Sequence, residues 1–218
     1  MTDPTSQASG PSAVAVNSEM LTGPAGLIVG VGSGGPVTLR LFRQQPTRLF
    51  LATPEYMAWL VAFRAMCLGA HLSVLVEDHR PWLMLADTVR ACGGTIDLLR
   101  GTENIPGRGR PYRPSLIVDG MDAVSANDRI GAWQALVSLG DPEESRAVGD
   151  LRAADVALIS PLTTKGSEHL RRAYALSSGQ ARAATDLGEA EAVLAGVRRV
   201  MRVPVVPSPT EHRLLFGG

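Results

Sequence analysis

The 218 residues are 45% hydrophobic and 19% charged, a balance that supplies a packed core, suits one domain and excludes wholesale disorder. Formal net charge is zero, which argues against nucleic acid as the main partner, because phosphate contacts need a clustered basic excess. No run of 18 or more apolar residues occurs, so no membrane insertion is expected.

Residues 1–22 are rich in Ser, Thr, Pro and Gly and read as a disordered N-terminal tail without signal-peptide character; residues 23–218 read as a single α/β domain. Leu27-Ile28-Val29 and Pro36–Phe42 flank the cluster Gly30-Val31-Gly32-Ser33-Gly34-Gly35, which predicts a β-hairpin. Arg48–Ala52 is the next strand. Thr53-Pro54-Glu55 offers an N-cap, a proline at the first helical position and an acid in the first turn. The following helix, to about Leu68, places Met57, Leu60, Val61, Arg64 and Leu68 at helical spacing. His71–Glu77 is a second strand, Pro81 to about Cys92 a second helix, and Thr95–Leu99 a third strand. A β-α-β-α-β run with such short connections implies parallel strands.

The two cysteines, Cys67 and Cys92, fall in the two helices without CxxC spacing and are expected to be ordinary packed thiols of a reducing compartment. Residues 100–114 form an exposed Gly/Pro/Arg loop. Ser115–Asp119, Trp133–Leu139 and Asp155–Ser160 are further strands, and a helix runs from near Lys165 to Ala175. From about Ala190 the chain mixes a helix with the apolar run Val203–Val206. The fold class is therefore α/β: a Rossmann-like or degenerate P-loop-like three-layer domain with a mostly parallel sheet, preceded by a β-hairpin.

Four segments bear on function. Gly30-x-Gly32-x-x-Gly35 matches a dinucleotide-binding string, but that mechanism needs a helix to begin at the glycines. A β-branched strand follows here, so the string reads as a hairpin turn. The first β-α turn, Ala52-Thr53-Pro54-Glu55, has no glycine; Glu55 repels phosphate at the helix mouth and Pro54 removes an amide. Leu116-Ile117-Val118-Asp119 resembles a Walker B strand, yet without a phosphate loop Asp119 is expected to cap the next turn rather than serve Mg²⁺. Thr163-Thr164-Lys165-Gly166-Ser167 is a possible anion site whose ordinary role is helix capping. His71, His79, His169 and His212 have no zinc-ligand spacing, and no G-x-S-x-G elbow occurs. Trp59, Trp82 and Trp133 are expected to be core or interface residues.

Four segments together resemble a known group: Val37–Phe42 with Arg43, Pro46, Thr47 and Arg48; Phe63-Arg64-Ala65 with Gly69-Ala70; Trp133–Leu139 ahead of Ala154–Ile159; and Ser208-Pro209-Thr210-Glu211. Their order is similar to small soluble proteins of actinobacteria associated with type VII (ESX/WXG100) secretion loci. The layout also resembles an FtsK/SpoIIIE-type ATPase core that has lost its phosphate loop, a pseudo-ATPase. The resemblance implies a cytoplasmic, non-catalytic component with no cofactor. Its partner would be a protein, a secretion-machine component or a second copy. Arg108, Arg110, Tyr112 and Arg113 form the one run with interface composition. The alternative is a nucleotide- or cofactor-binding enzyme whose ligand lies at the carboxyl ends of the parallel strands, lined by Thr53, Glu77, Asp78 and Asp119.

Overall fold

The computed structural model describes residues 26–124 and 130–217. The expected N-terminal tail lies outside them. Strands β1 (Leu27–Gly32) and β2 (Gly35–Leu39) form the antiparallel hairpin, turning through Ser33 and Gly34. Gly35 takes φ +108°, a conformation only glycine adopts without strain. Gly30 serves a different need: a Cβ there would collide with the Pro204 carbonyl and the Val203 side chain. The string that looks like a nucleotide fingerprint is thus hairpin and packing glycine.

The main sheet holds β3 (Thr47–Ala52), β4 (His71–Leu75), β5 (Thr95–Leu99), β6 (Ser115–Asp119), β7 (Gln134–Leu139), β8 (Val156–Ile159), β9 (Glu191–Gly196) and β10 (Arg199–Pro204). Their order is β10-β9-β8-β3-β7-β6-β4-β5. Strands β3 to β8 pair in parallel, whereas β9 and β10 join antiparallel. The helices are α1 (Glu55–Cys67), α2 (Arg80–Ala91), α3 (Ala147–Ala153), α4 (Thr164–Tyr174), α5 (Ser178–Arg182) and α6 (Pro209–Leu215).

Side chains on a strand alternate between faces, and the cores follow that rule. Leu49, Leu51, Leu72, Val74, Leu116 and Val118 pack with Met57, Leu60, Leu85 and Val89 of α1 and α2. On the other face, Phe50, Ala157, Ile159 and Val193 pack with Leu151, Leu170 and Tyr174 of α3 and α4. The rest of that second face, Leu75, Ile117 and Leu136, is covered by loop residues such as Ile105 and Met121. The result is the expected three-layer α/β architecture. No helix among the described residues is long and apolar enough to cross a membrane.

Several expectations need correction. The strand at His71 stops at Leu75, where its ladder with β6 ends, so Glu77 and Asp78 lie in the exposed turn before α2. Thr53 does not cap α1. Pro54, in extended conformation, occupies that position, so Thr53 sits one residue outside the helix. The helix expected after Ala190 is the β9–β10 hairpin, because pairing with β8 buries Ala192, Val193 and Ala195 and overrides the helix propensity of Ala and Leu. The short helices α3 and α5 were not expected. Trp133 precedes its strand with φ +59°. Cys67 and Cys92 are exposed at the ends of α1 and α2, because the thiols fall at helix termini outside the apolar faces. Trp82 is buried, and Trp59 stacks on Phe216 at 6.1 Å.

One side chain ties the periphery to this core. Arg64 of α1 donates through Nε to Glu211 Oε1 at 2.6 Å, through Nη1 to the carbonyls of Val29 (2.7 Å) and Ile28 (3.2 Å), and through Nη2 to Val206 O (3.0 Å) and Glu211 Oε2 (2.9 Å). All five guanidinium N–H groups find an acceptor. Glu211 also closes a capping box with Ser208 at the start of α6. The Arg64 and Glu211 side chains are only 15% and 14% exposed. Burial raises the Glu211 carboxyl, but the bonds from Arg64 and Ser208 outweigh it and hold it below its ordinary value of 4.5. A depressed carboxyl stabilises the fold above its unfolded value and loses that contribution as pH falls through the folded one.

Two outcomes follow from this packing. Glu211→Gln should destabilise the protein by on the order of 3 kcal/mol near neutral pH. The gap from wild type should narrow as pH drops below the ordinary 4.5, read from denaturant melts across pH. Gly30→Val should cost about 1–3 kcal/mol through overpacking, whereas Gly34→Ala, with open space around its Cβ, should melt like wild type.

Candidate functional site

In open parallel sheets a ligand lies outside the carboxyl ends of the strands, where adjacent connections diverge. Here that place is between β3 and β8. From β3 the chain leaves through α1 toward β4; from β8 it leaves through α4 and α5 toward β9, on the other side. The strand ends are latched together: Ser160 N and Oγ donate to Ala52 O at 2.9 and 3.1 Å, and Gly140 N donates to Leu51 O at 3.1 Å. Above them opens a crevice of about 460 Å³, lined in part by Thr53, Glu55, Trp82, Asp141, Glu143 and Ser160.

The crevice has the place of a phosphate site and the opposite charge. Three carboxylates line it and no Lys or Arg does. Asp141 Oδ1 accepts the Glu143 amide at 2.8 Å, which fixes the acidic turn over the opening. A phosphate charge about 5 Å from one carboxylate, at an effective dielectric of about 20, is opposed by about 3 kcal/mol. A helix N-terminus offers roughly 0.3–1 kcal/mol in return, and α1 begins after Pro54, which contributes no amide. Thr53 Oγ1 is buried without a hydrogen-bond partner.

The other residues considered for this site do not line it. Asp119, 1% exposed, accepts the amides of Met121 (2.9 Å) and Ala123 (3.2 Å) on Oδ1 and of Val124 (2.7 Å) on Oδ2. Its carboxylate caps the loop after β6. Asp78 accepts the backbone and guanidinium N–H groups of Arg80; these bonds hold its carboxyl down at about 2. Glu77 is exposed. Thr163 caps α4, its side chain accepting from Gly166 N at 3.4 Å. Among the described residues no group of three or more His, Cys, Asp or Glu is arranged to hold a metal ion.

A second cavity, of about 230 Å³, lies on the α3 face near Phe50 and Gly140. Arg146 crosses it and pairs with Asp122, with Glu144 at 2.7 Å and with Asp150 at 3.8 Å. Asp141, Glu143, Glu144, Arg146 and Asp150 were missed in the sequence because they belong to the turn and short helix between β7 and β8, which carry no motif. Arg108, Arg110, Tyr112 and Arg113 lie away from both cavities, exposed on the loop before β6.

No family model and no curated protein matches the sequence. Solved structures do match. VirB4 of Thermoanaerobacter pseudethanolicus is 10% identical, with 86% of this chain and 98% of that chain covered and a TM-score of 0.58. The pCW3 conjugation coupling protein TcpA, solved with ATPγS, is 8% identical, with 84% and 66% covered and a TM-score of 0.54. The cytoplasmic domain of the Thermomonospora curvata type VII secretion ATPase EccC is 13% identical, with 85% and 29% covered and a TM-score of 0.47, too loose to carry an argument. At these identities the likeness establishes the fold alone, an α/β domain with a mostly parallel sheet that this chain shares with VirB4 and TcpA.

Asp119→Ala should strand three part-buried amides and cost about 2–4 kcal/mol. Mg²⁺ should shift the melting of neither wild type nor variant.

Proposed function

We propose that this chain is a non-catalytic assembly component of a type VII-like secretion system, acting at the cytoplasmic face of the membrane by binding protein partners. The observation that carries this reading is the acidic crevice. An ATPase-like sheet keeps its topology, while the turn that would hold phosphate offers Pro54 and Glu55, faced by Asp141 and Glu143. A domain with that framework and without its nucleotide chemistry has its surfaces to offer. The sequence resemblance to type VII-associated proteins supplies the system.

One observation favours the rival, a nucleotide- or cofactor-binding enzyme. The crevice is open rather than filled, and Thr53 Oγ1 has no partner in it. Asp119, which would have completed such a site, faces its own loop instead.

The two readings separate in solution. The purified protein should co-migrate on size exclusion with a cytoplasmic component of the secretion machine or with itself. Strictly monomeric behaviour beside every such component would contradict the proposal. A thermal-shift screen with ATP, NAD and S-adenosylmethionine, with and without Mg²⁺, should be flat. A bound ligand at about 100 times its Kd would add about 2.7 kcal/mol, or roughly 5–10 °C for a chain of this size.

A further inference from the structure

At the amino ends of β4 and β6, across the sheet from the crevice, a pocket of about 260 Å³ is lined by Arg108, Arg110, Arg113, His71 and Ser115. We propose that this pocket, with Tyr112 beside it, is a receptor for a carboxylate-rich peptide segment of a partner protein. The inference rests on the reading of the chain as an interaction component and says what it recognises.

Four observations support it. The loop is built rather than loose. Arg110 and Arg113 exchange backbone bonds of 2.9 and 3.0 Å, and Gly109 N donates to Ala132 O at 2.9 Å. A Cβ on Gly109 would strike the Trp133 carbonyl, so the loop is seated closely on the chain before β7. Gln134 holds its earlier part, with Nε2 donating to Pro106 O and Oε1 accepting from Gly131 N at 2.6 Å.

Among the described residues no carboxylate pairs with Arg108, Arg110 or Arg113, although arginines elsewhere, such as Arg64, Arg80, Arg146 and Arg171, each hold one. The nearby acid Asp97 is already taken by His71, at 2.7 Å from Nε2. Three arginines therefore line one pocket, none of them paired with a carboxylate among the described residues. Each guanidinium is a planar fork matched to a carboxylate.

The floor holds an unsatisfied polar atom. Ser115 is 2% exposed, lines the pocket, and its Oγ has no hydrogen-bond partner; a buried hydroxyl without a partner costs free energy that an acceptor would recover. Finally, Tyr112 stands 74% exposed beside the opening, its hydroxyl accepting from Arg110 Nη1 at 2.6 Å with the guanidinium 5.9 Å from the ring centre. Arginine and tyrosine in that arrangement are the residues that dominate protein interfaces.

Size and charge select a peptide over other anions. The pocket is smaller than the roughly 300 Å³ at which small-molecule sites begin. It suits an acidic side chain borne on a larger partner. A nucleic acid would need a longer basic track than one loop on a chain of zero net charge provides.

The test is fluorescence anisotropy of a fluorescein-labelled octaglutamate peptide with the full chain at low salt, with octathymidylate and inorganic phosphate as competitors. Saturable binding should weaken about tenfold in Arg110→Ala and in Arg113→Ala, and less in the Arg→Lys variants, which keep the charge and lose the fork. These exposed positions should leave the melting temperature unchanged. Wild-type affinity retained in both alanine variants, or tighter binding of octathymidylate than of the peptide, would overturn the assignment. Co-migration with a secretion component is measured separately, so this site and the assembly reading can fail independently.

Discussion

Arg64 joins four parts of the chain at one guanidinium. The guanidinium projects from helix α1, and strand β1, the segment at Val206 and the C-terminal helix α6 each give it an oxygen. Breaking such a pair strands a charge away from water, which is costlier than never having buried it. The hairpin lies outside the main sheet and is seated on the domain by this contact, by the close approach at Gly30 and by burial of Leu27 and Val29 in the core. These contacts are made by the chain's own residues and are independent of any ligand.

That independence matters for function. In a nucleotide-binding α/β domain the turn after the central strand holds the phosphate, and its glycines serve that purpose. Here the same turn is Thr53-Pro54-Glu55, the neighbouring turn adds Asp141 and Glu143, and the Walker B-like Asp119 is occupied by three amides of its own loop. The positive charge available for recognition sits instead on the loop before β6, at the other end of the strands. The fold, shared with VirB4 and the conjugation coupling protein TcpA, thus presents an acidic crevice at the carboxyl ends of its strands and a basic pocket at the opposite ends.

Most of the framework was legible in the sequence. The hairpin, the parallel β-α-β-α-β run and the strands at Ser115 and Val156 follow from local periodicity and turn residues, which these segments obey. The β9–β10 hairpin was not legible, because Ala and Leu between Glu191 and Gly196 carry helix propensity and only pairing with β8 makes them strand. The capping box of Ser208 and Glu211 was readable from its spacing, yet its partner Arg64 lies 147 positions away. Of the residues considered for a ligand site, only Thr53 lines the crevice. The acids that define it arrive from the β7 turn, where no motif announces them.

The central claim is that the crevice at the end of β3 does not hold a nucleotide. Isothermal titration of ATP with Mg²⁺ into the full chain at low salt addresses it directly, beside a variant with Glu55→Gln, Asp141→Asn and Glu143→Gln. The account predicts no saturable heat from the wild type, with any binding confined to the neutralised variant. One-to-one binding by the wild type with a Kd below about 100 μM, equivalent to about −5.5 kcal/mol, would contradict it.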